Sequence, residues 1–178
     1  MLIIPKKPSC LRLPICRLWN GEAASVLSDY ALFELWQDDD GLMVRLFLQS
    51  IKKDNDFSQE KKKWNGYVFF VEEGGQYLKL EMWCDGICTL RGFDRNNECL
   101  VDFKDINLHT SFKSDPNHHL CECLVCIPWE IFPKELISMN AFLEQSEFLF
   151  AYHPLSEIPT KTLSQIETFP FVRLDLTT

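Results

Sequence analysis

The sequence predicts an all-β fold: an antiparallel two-sheet sandwich, jelly-roll or immunoglobulin-like, with one short helical turn. Apolar and polar side chains alternate with a period of two in several stretches, as in half-buried strands. Turn signals containing glycine, asparagine or proline separate these stretches. Roughly ten short strands of this kind favour a sandwich or barrel, and the 14 phenylalanines among 178 residues suit strands better than helices.

The strand pattern is clearest in residues 64–90. Residues 67–71 are an aromatic and β-branched run without a helical period. The paired glycines Gly74 and Gly75 predict a tight turn after it, because glycine adopts positive φ cheaply. Tyr77–Trp83 then alternates strictly, and Gly86 marks a second turn. One face of this strand is expected to be buried (Leu78, Leu80, Met82) and the other more exposed (Tyr77, Lys79, Glu81, Trp83).

Other predicted strands lie on both sides of this stretch. They are residues 30–36, 42–49, 98–103, 106–113, 120–127, 142–152 and 171–176. The first two form a hairpin across an acidic turn that ends in glycine. The alternating positions predict a core that contains Leu42, Val44, Leu46, Leu78, Leu80, Met82, Val125 and Ile127.

Segments without this alternation are predicted to be an arm, loops or a turn. Residues 1–17 are predicted to form an irregular arm or an edge segment, because their prolines cannot donate to a strand ladder, and residues 18–178 to form a single domain. Residues 52–63, 114–117 and 154–169 are predicted to be loops and turns. Residues 129–132, between two prolines, are predicted to make the short helical turn.

Composition argues against several classes of function. The formal net charge of −8 disfavours a nucleic-acid-binding protein, since phosphate binding needs a basic face. No apolar run approaches the about 18 residues of a membrane span, and prolines interrupt the N-terminus where a signal peptide needs a long apolar core. We therefore expect a cytoplasmic protein with eight free cysteines, including Cys84 and Cys88, which flank a predicted turn.

Metal-binding and catalytic residues are not expected. The run His118-His119-x-Cys121-x-Cys123-x-x-Cys126 contains zinc-type ligands. On a strand, however, Cys121 and Cys123 share one face and Cys126 points away, and a buried cysteine-rich strand explains the run more simply. No nucleophile signature and no phosphate-binding glycine loop is present, so we expect neither an enzyme nor a cofactor.

Four short motifs in a shared order resemble one kind of sandwich domain. They are Leu18-Trp19-Asn20-Gly21; Trp64 and the aromatic strand, with Gln76-Tyr77-Leu78-Lys79-Leu80-Glu81; Ile127-Pro128-Trp129-Glu130-Ile131-Phe132-Pro133; and Phe169-Pro170-Phe171. Over residues 18–175 the chain is similar to family-nine carbohydrate-binding modules and DOMON-like domains, and most similar to an uncharacterised family of small proteins of that type. The resemblance implies a non-catalytic binding module with a glycan ligand.

Departures from the family pattern leave an alternative open. The family has carboxylates after the tryptophan, in an Asp-x-Val-Glu-x-Phe pattern, whereas this chain has Asn65-Gly66-Tyr67-Val68-Phe69-Phe70. The family's closing Asp and His are replaced by residues such as Val172 and Arg173. Because carboxylates accept hydrogen bonds from sugar hydroxyls, the alternative is a protein-interaction or structural sandwich that has lost the sugar site.

Aromatic residues at strand ends and on outward faces are the candidate ligand-binding residues. Sugar C–H faces stack on such rings, and nearby polar groups fix the orientation. The predicted set is Trp64, Tyr67, Trp83 and Tyr152 for stacking, with His153 and Arg173 as polar partners. The plainer interpretation is that these rings cover the sheet or fill the core. Trp129 is expected to plug the sandwich rather than to bind a ligand.

Overall fold

The structure, a computed structural model, describes residues 1–23, 29–50, 64–83, 85–104, 108–115, 120–145, 148–155 and 166–176, with the backbone alone described at 29, 30 and 50. These residues form fourteen strands: β1 Leu2–Ile4, β2 Leu11–Ile15, β3 Arg17–Leu18, β4 Asp29–Gln37, β5 Gly41–Ser50, β6 Trp64–Glu72, β7 Tyr77–Trp83, β8 Cys88–Phe93, β9 Cys99–Asp102, β10 His109–Asp115, β11 Leu120–Pro128, β12 Leu136–Gln145, β13 Phe148–Ala151 and β14 Val172–Leu174. A 3-10 helix covers Ile166–Thr168. Several predictions fall outside the described residues, namely the loop 52–63, Cys84, Ile106, His118, His119, and parts of the turn 114–117 and the loop 154–169. No helix in the described part of the chain is long and apolar enough to span a membrane.

The strands form two antiparallel sheets that pack as a sandwich, as predicted. One sheet has the order β10-β11-β5-β4-β2, and the other has the order β3-β13-β12-β6-β7-β8-β9. A separate parallel pair joins β1 to β14. The predicted hairpin is β4–β5, in which Trp36 lies opposite Met43. The predicted strand 142–152 is in fact two strands, because the chain reverses after Gln145 and β13 pairs with β12.

The core lies between the two sheets, on the faces that alternation predicts. All eight predicted core residues are at most 5% exposed: Leu42, Val44, Leu46, Leu78, Leu80, Met82, Val125 and Ile127. On β11, Cys123 is buried in this core while Cys126 lies on the other face, as expected from their spacing. The register of the central strands is therefore confirmed.

The outer face of the seven-stranded sheet is less exposed than predicted. Tyr77 and Glu81 are only 5% and 6% exposed, although alternation placed them on the more exposed face. A second apolar cluster covers one end of this face, and Phe169, which follows the 3-10 helix, packs against Phe69 and Phe142 with ring centroids about 6 Å apart. The described ends of the predicted loop, at Leu155 and at Ile166 and Phe169, therefore add apolar cover outside the two sheets, which a two-layer pattern does not anticipate.

The N-terminal residues are not the irregular arm that their prolines suggested. Leu11–Ile15 is the edge strand of the five-stranded sheet, and Leu13 and Ile15 are buried in the core between the sheets. Pro14 is tolerated because an edge strand does not need every N–H for pairing. The other prediction for this segment, that it lies at the edge of a sheet, is correct for Leu11–Ile15.

The helical turn also lies elsewhere than predicted. Residues 129–132 make a hydrogen-bonded turn, in which the N–H of Phe132 donates to Pro128 O at 3.1 Å, and the short helix of the described residues is Ile166–Thr168. Pro133 prevents the turn at 129–132 from continuing as a helix. Trp129 packs against the core and donates from Nε1 to Asp38 O at 3.0 Å, which fits its predicted role as a plug.

One buried carboxylate joins three strands on the outer face of the five-stranded sheet. Glu34 is 4% exposed and accepts hydrogen bonds from Arg12 Nε at 3.0 Å and Arg45 Nε at 2.8 Å. Burial alone would raise the pKa of Glu34, but the two guanidinium groups outweigh burial and lower it. This network stabilises the sheet most strongly when Glu34 is ionised.

Candidate functional site

Polar and aromatic side chains gather on the outer face of the seven-stranded sheet. We call this group the strip; its members are Asn65, Tyr67, Lys79, Glu81, Trp83, Thr89 and Glu144. Strand register brings them together. Asn65 lies opposite Trp83 on β7 and Glu144 on β12, and Glu81 lies opposite Tyr67 on β6 and Thr89 on β8. Residues directly opposite or diagonal on one face of a sheet are close enough for their side chains to interact.

Tyr67 is at the centre of the strip. Its hydroxyl donates to Glu144 Oε2 at 2.5 Å, and the ammonium of Lys79 lies 4.8 Å from the centre of its ring. Burial and the neighbouring Glu144 carboxylate raise the pKa of Tyr67, so its hydroxyl stays protonated and remains a donor. The hydroxyl and the cation–π contact hold the ring in one orientation.

Glu81 is a buried carboxylate held from two sides. Lys79 Nζ forms an ion pair with Glu81 Oε1, and the Thr89 hydroxyl donates to Glu81 Oε2 at 3.1 Å. Two donors fix the carboxylate plane beside Tyr67, so the group is positioned before any ligand arrives. Farther along the same face, Asp102 pairs with Arg91 at 3.5 Å and with Lys104 at 3.0 Å.

Trp83 supplies the exposed ring at one end of the strip. Trp83 is 38% exposed, whereas Glu81, one of the two carboxylates of the strip, is 6% exposed. An exposed indole beside fixed polar groups can stack on the C–H face of a sugar while the polar groups bond its hydroxyls. No group of three or more metal-ligating side chains occurs in the part of the chain that the structure describes.

The structure separates the six predicted site residues. Trp64 and Trp83 lie on opposite faces of the sheet, because Trp64 belongs to the inner face and is 8% exposed. Tyr152 packs against the core from the end of β13. His153 follows it and is exposed, with its backbone bonded to the Asn140 side chain. Of the predicted set, Tyr67 and Trp83 alone come together.

Arg173 lies at a different cleft. It is exposed on β14 and lines a cleft of about 450 Å³ together with Lys134, Glu135 and Asp175. This cleft contains no exposed aromatic ring among its described lining residues. It therefore lacks the stacking surface that motivated the choice of Arg173 as a polar partner.

Sequence reasoning missed most of the polar members of the strip. Alternation places Lys79 and Glu81 on the same face as Trp83, and this is the sequence signal that could have identified them as site residues. Glu144 gives no such signal, because its contact with Tyr67 requires β12 to pair with β6 across 77 residues of sequence. Thr89 likewise enters the strip through the β7–β8 pairing.

Comparison with known proteins supports the fold. No family model and no curated protein matches the sequence. Among solved structures, a proposed carbohydrate-binding protein from Bacteroides uniformis superposes with a TM-score of 0.62 at 11% identity, over 93% of this chain and 87% of that chain. A family 9 carbohydrate-binding module from Caldicellulosiruptor kristjanssonii, in complex with cellotriose, gives a TM-score of 0.52 at 10% identity, over 99% and 94% of the two chains. Its glucose complex gives 0.53 at 10% identity, over 99% and 96%. The chain thus has a carbohydrate-binding-module-like β-sandwich fold.

Proposed function

We propose that this protein is a non-catalytic module that binds a neutral glycan on the strip. The observation that carries the proposal is the convergence of the exposed Trp83 ring with Tyr67 and two carboxylates on one face of the sheet. The fold neighbours from C. kristjanssonii bind cellotriose and glucose, which is consistent with a sugar ligand here but concerns those proteins. Fold likeness by itself is a weak argument for function.

The strip contains the carboxylate acceptors that residues 65–70 of β6 lack. The carboxylates of Glu81 and Glu144 flank Tyr67 from the two neighbouring strands, so hydroxyl acceptors stand on both sides of the ring. Lys79 and Thr89 hold Glu81 in place. Hydrogen bonds to a fixed, charged acceptor are stronger than those to a neutral one.

Charge favours a neutral ligand over an acidic one. The strip carries two carboxylates against the single ammonium of Lys79, and the whole chain has a formal net charge of −8. A sulfated or carboxylated sugar placed there would meet like charges, which disfavour binding. Neutral hexose chains such as cellotriose are therefore the first ligands to test.

The experiment is a glycan array followed by calorimetric titration of the neutral glycans that bind. Trp83→Ala and Glu81→Gln are each expected to weaken binding at least about tenfold, which corresponds to about 1.4 kcal/mol. Phe112→Ala is the matched control, because Phe112 is 37% exposed but lies on β10 of the other sheet. Binding by Phe112→Ala should equal that of the unchanged protein.

Two outcomes would reject the sugar site. The first is that no glycan binds the unchanged protein on the array or in titration. The second is that a glycan binds and neither strip variant weakens it, which would place the ligand elsewhere. Circular dichroism spectra of each variant verify that the sandwich is intact.

A protein-interaction module is the second candidate, and a specific observation favours it. The edge strands β9 and β10 are exposed along nearly their whole length, and they carry exposed apolar side chains at Leu100, Val101 and Phe112. Exposed strand edges with apolar side chains are sites of strand pairing with another chain. If this role is correct, Phe112→Ala disrupts an association that Trp83→Ala leaves intact.

A further inference from the structure

Two cysteines meet in the core between the two sheets. Cys88 is the first residue of β8 in the seven-stranded sheet, and Cys123 lies within β11 in the five-stranded sheet. Their sulfur atoms are 3.5 Å apart, although 35 residues separate them in sequence. A disulfide has a sulfur separation of about 2.05 Å, so the two sulfurs need to approach by about 1.5 Å to form one. Sandwich folds accommodate a disulfide between their sheets, as immunoglobulin domains show.

The pair is reachable from solvent on one side. Cys88 is partly exposed and lines a cleft of about 320 Å³ at the open edge of the sandwich, beside Thr89, Phe103 and Leu108. Cys123 is 1% exposed and lies behind Cys88. A small oxidant that enters the cleft therefore meets Cys88 first, and Cys123 is the thiol positioned to react with the oxidised sulfur.

The contact also affects ionisation of the thiols. A hydrogen bond from Cys88 lowers the pKa of Cys123, while the same contact and burial raise the pKa of Cys88. The first proton therefore leaves Cys123, and the Cys88 thiol donates its hydrogen bond to the Cys123 thiolate. The thiolate is the reactive form toward oxidants.

We propose that Cys88 and Cys123 form a redox-active pair that a peroxide converts into a disulfide between the two sheets. The Cys123 thiolate takes the proton of the Cys88 thiol while the Cys88 sulfur attacks one oxygen of hydrogen peroxide. The O–O bond breaks, and the released hydroxide takes that proton from Cys123 and leaves as water. The resulting sulfenic acid at Cys88 is attacked by the Cys123 thiolate. The S–O bond breaks, and the second oxygen leaves as water with the proton that Cys123 first released to solvent. Two thiols are oxidised by two electrons in total, and one peroxide is reduced to two waters.

The bond closes a loop of 35 residues and joins strands of different sheets near the open edge of the sandwich. Cross-linking a loop of that length is expected to raise the thermal unfolding midpoint by about 8–15 °C. Reduction with a dithiol reverses the shift. None of the seven cysteines that the structure describes is in a disulfide, and the assay starts from protein reduced with a dithiol.

Peptide mapping identifies the bond. Protein treated with one equivalent of hydrogen peroxide is alkylated and digested with trypsin, which yields residues 80–91 with Cys88 and residues 114–134 with Cys123. We expect these two peptides to be joined, with a mass two hydrogen atoms below their sum, and fragmentation to place the bond at Cys88 and Cys123. The joined product should disappear in Cys88→Ser and in Cys123→Ser and persist in the controls Cys84→Ser and Cys121→Ser.

Three results would overturn the proposal. Joined peptides that persist in Cys88→Ser would assign the bond to another cysteine. A bond within residues 80–91 would assign it to Cys84 and Cys88. Oxidation of Cys88 that proceeds to sulfinic acid without any joined peptide would show that Cys123 does not resolve it. Should a serine variant fail to fold, fragmentation of the unchanged protein still locates the bond.

Discussion

Replacing Trp64 by alanine is expected to destabilise the protein far more than the same change at Trp83. Trp64 is 8% exposed and packs in the core between the sheets, whereas Trp83 is 38% exposed on the outer face. A tryptophan that buries about 150–250 Å² at about 25 cal/mol per Å² contributes about 4–6 kcal/mol, which is an upper bound. Core truncations of this size cost about 3–5 kcal/mol, the value expected for Trp64→Ala. Trp83→Ala leaves no closed cavity, because water fills the space, and should cost about 1–2 kcal/mol.

Urea unfolding followed by far-ultraviolet circular dichroism measures both losses. With a slope of about 2 kcal/mol/M, Trp64→Ala should lower the unfolding midpoint by about 1.5–2.5 M. Trp64→Phe and Trp83→Phe form a milder pair if the alanine variant does not fold, and the order of the two losses should be the same. Equal losses at the two positions would refute the assignment of Trp64 to the inner face. The comparison also matters for function, because a binding defect in Trp64→Ala would reflect lost stability rather than a lost ligand contact.

Two further predictions concern the two sheets away from the site. Glu34→Gln should lower the free energy of unfolding by about 1–3 kcal/mol at neutral pH. Because the pKa of Glu34 is lowered in the folded protein, this contribution is present above its ordinary pKa of 4.5 and is lost as pH falls through the folded pKa. The difference in urea stability between the unchanged protein and Glu34→Gln should therefore shrink in acid. A difference that is independent of pH would contradict the role of the Glu34 charge. Gly41→Ala places a Cβ 2.2 Å from the backbone oxygen of Ile127, so it should lower the free energy of unfolding by more than about 3 kcal/mol. Gly92→Ala is the tolerated control, because the nearest atom to its added Cβ lies at 3.9 Å. Thermal unfolding of the two variants measures the difference.

The sequence permits prediction of the layers of this fold but not of all their edges. Alternation in Leu42–Leu46 and Leu78–Met82 assigns the inner face correctly, because the side-chain period of a strand is two and one face must be buried. The same alternation does not predict the burial of Tyr77, whose ring stacks on Phe93 and belongs to an apolar cluster that includes Phe169, more than 90 residues away. Burial of a sheet face by residues that are distant in sequence depends on tertiary packing, which a local pattern does not predict.

Prediction of the site is limited for a related reason. Trp64 and Trp83 look alike in sequence, since each stands at the end of a predicted strand. Their faces differ because of where β6 begins. Trp64 lies on the inner face with the buried Val68 and Phe70, whereas Tyr67 lies on the outer face. A shift of one residue in that assignment exchanges the binding face for the core face. Because Val68–Val71 is apolar and buried throughout, it lacks the alternation that would have assigned the two faces of β6 from sequence.

The absence of carboxylates from residues 65–70 of β6 is weaker evidence against a sugar site than the linear pattern suggests. A ligand interacts with atoms on a face of the sheet, and the nearest neighbours of Tyr67 on that face come from β7 and β12 as well as from its own strand. Glu81 and Glu144 stand at those neighbouring positions, one fixed by Lys79 and Thr89 and the other accepting from the Tyr67 hydroxyl. Carboxylates on neighbouring strands can therefore stand beside the Tyr67 ring even where its own strand supplies none. The proposal of a sugar site therefore depends on the composition of this face rather than on the sequence of β6 alone.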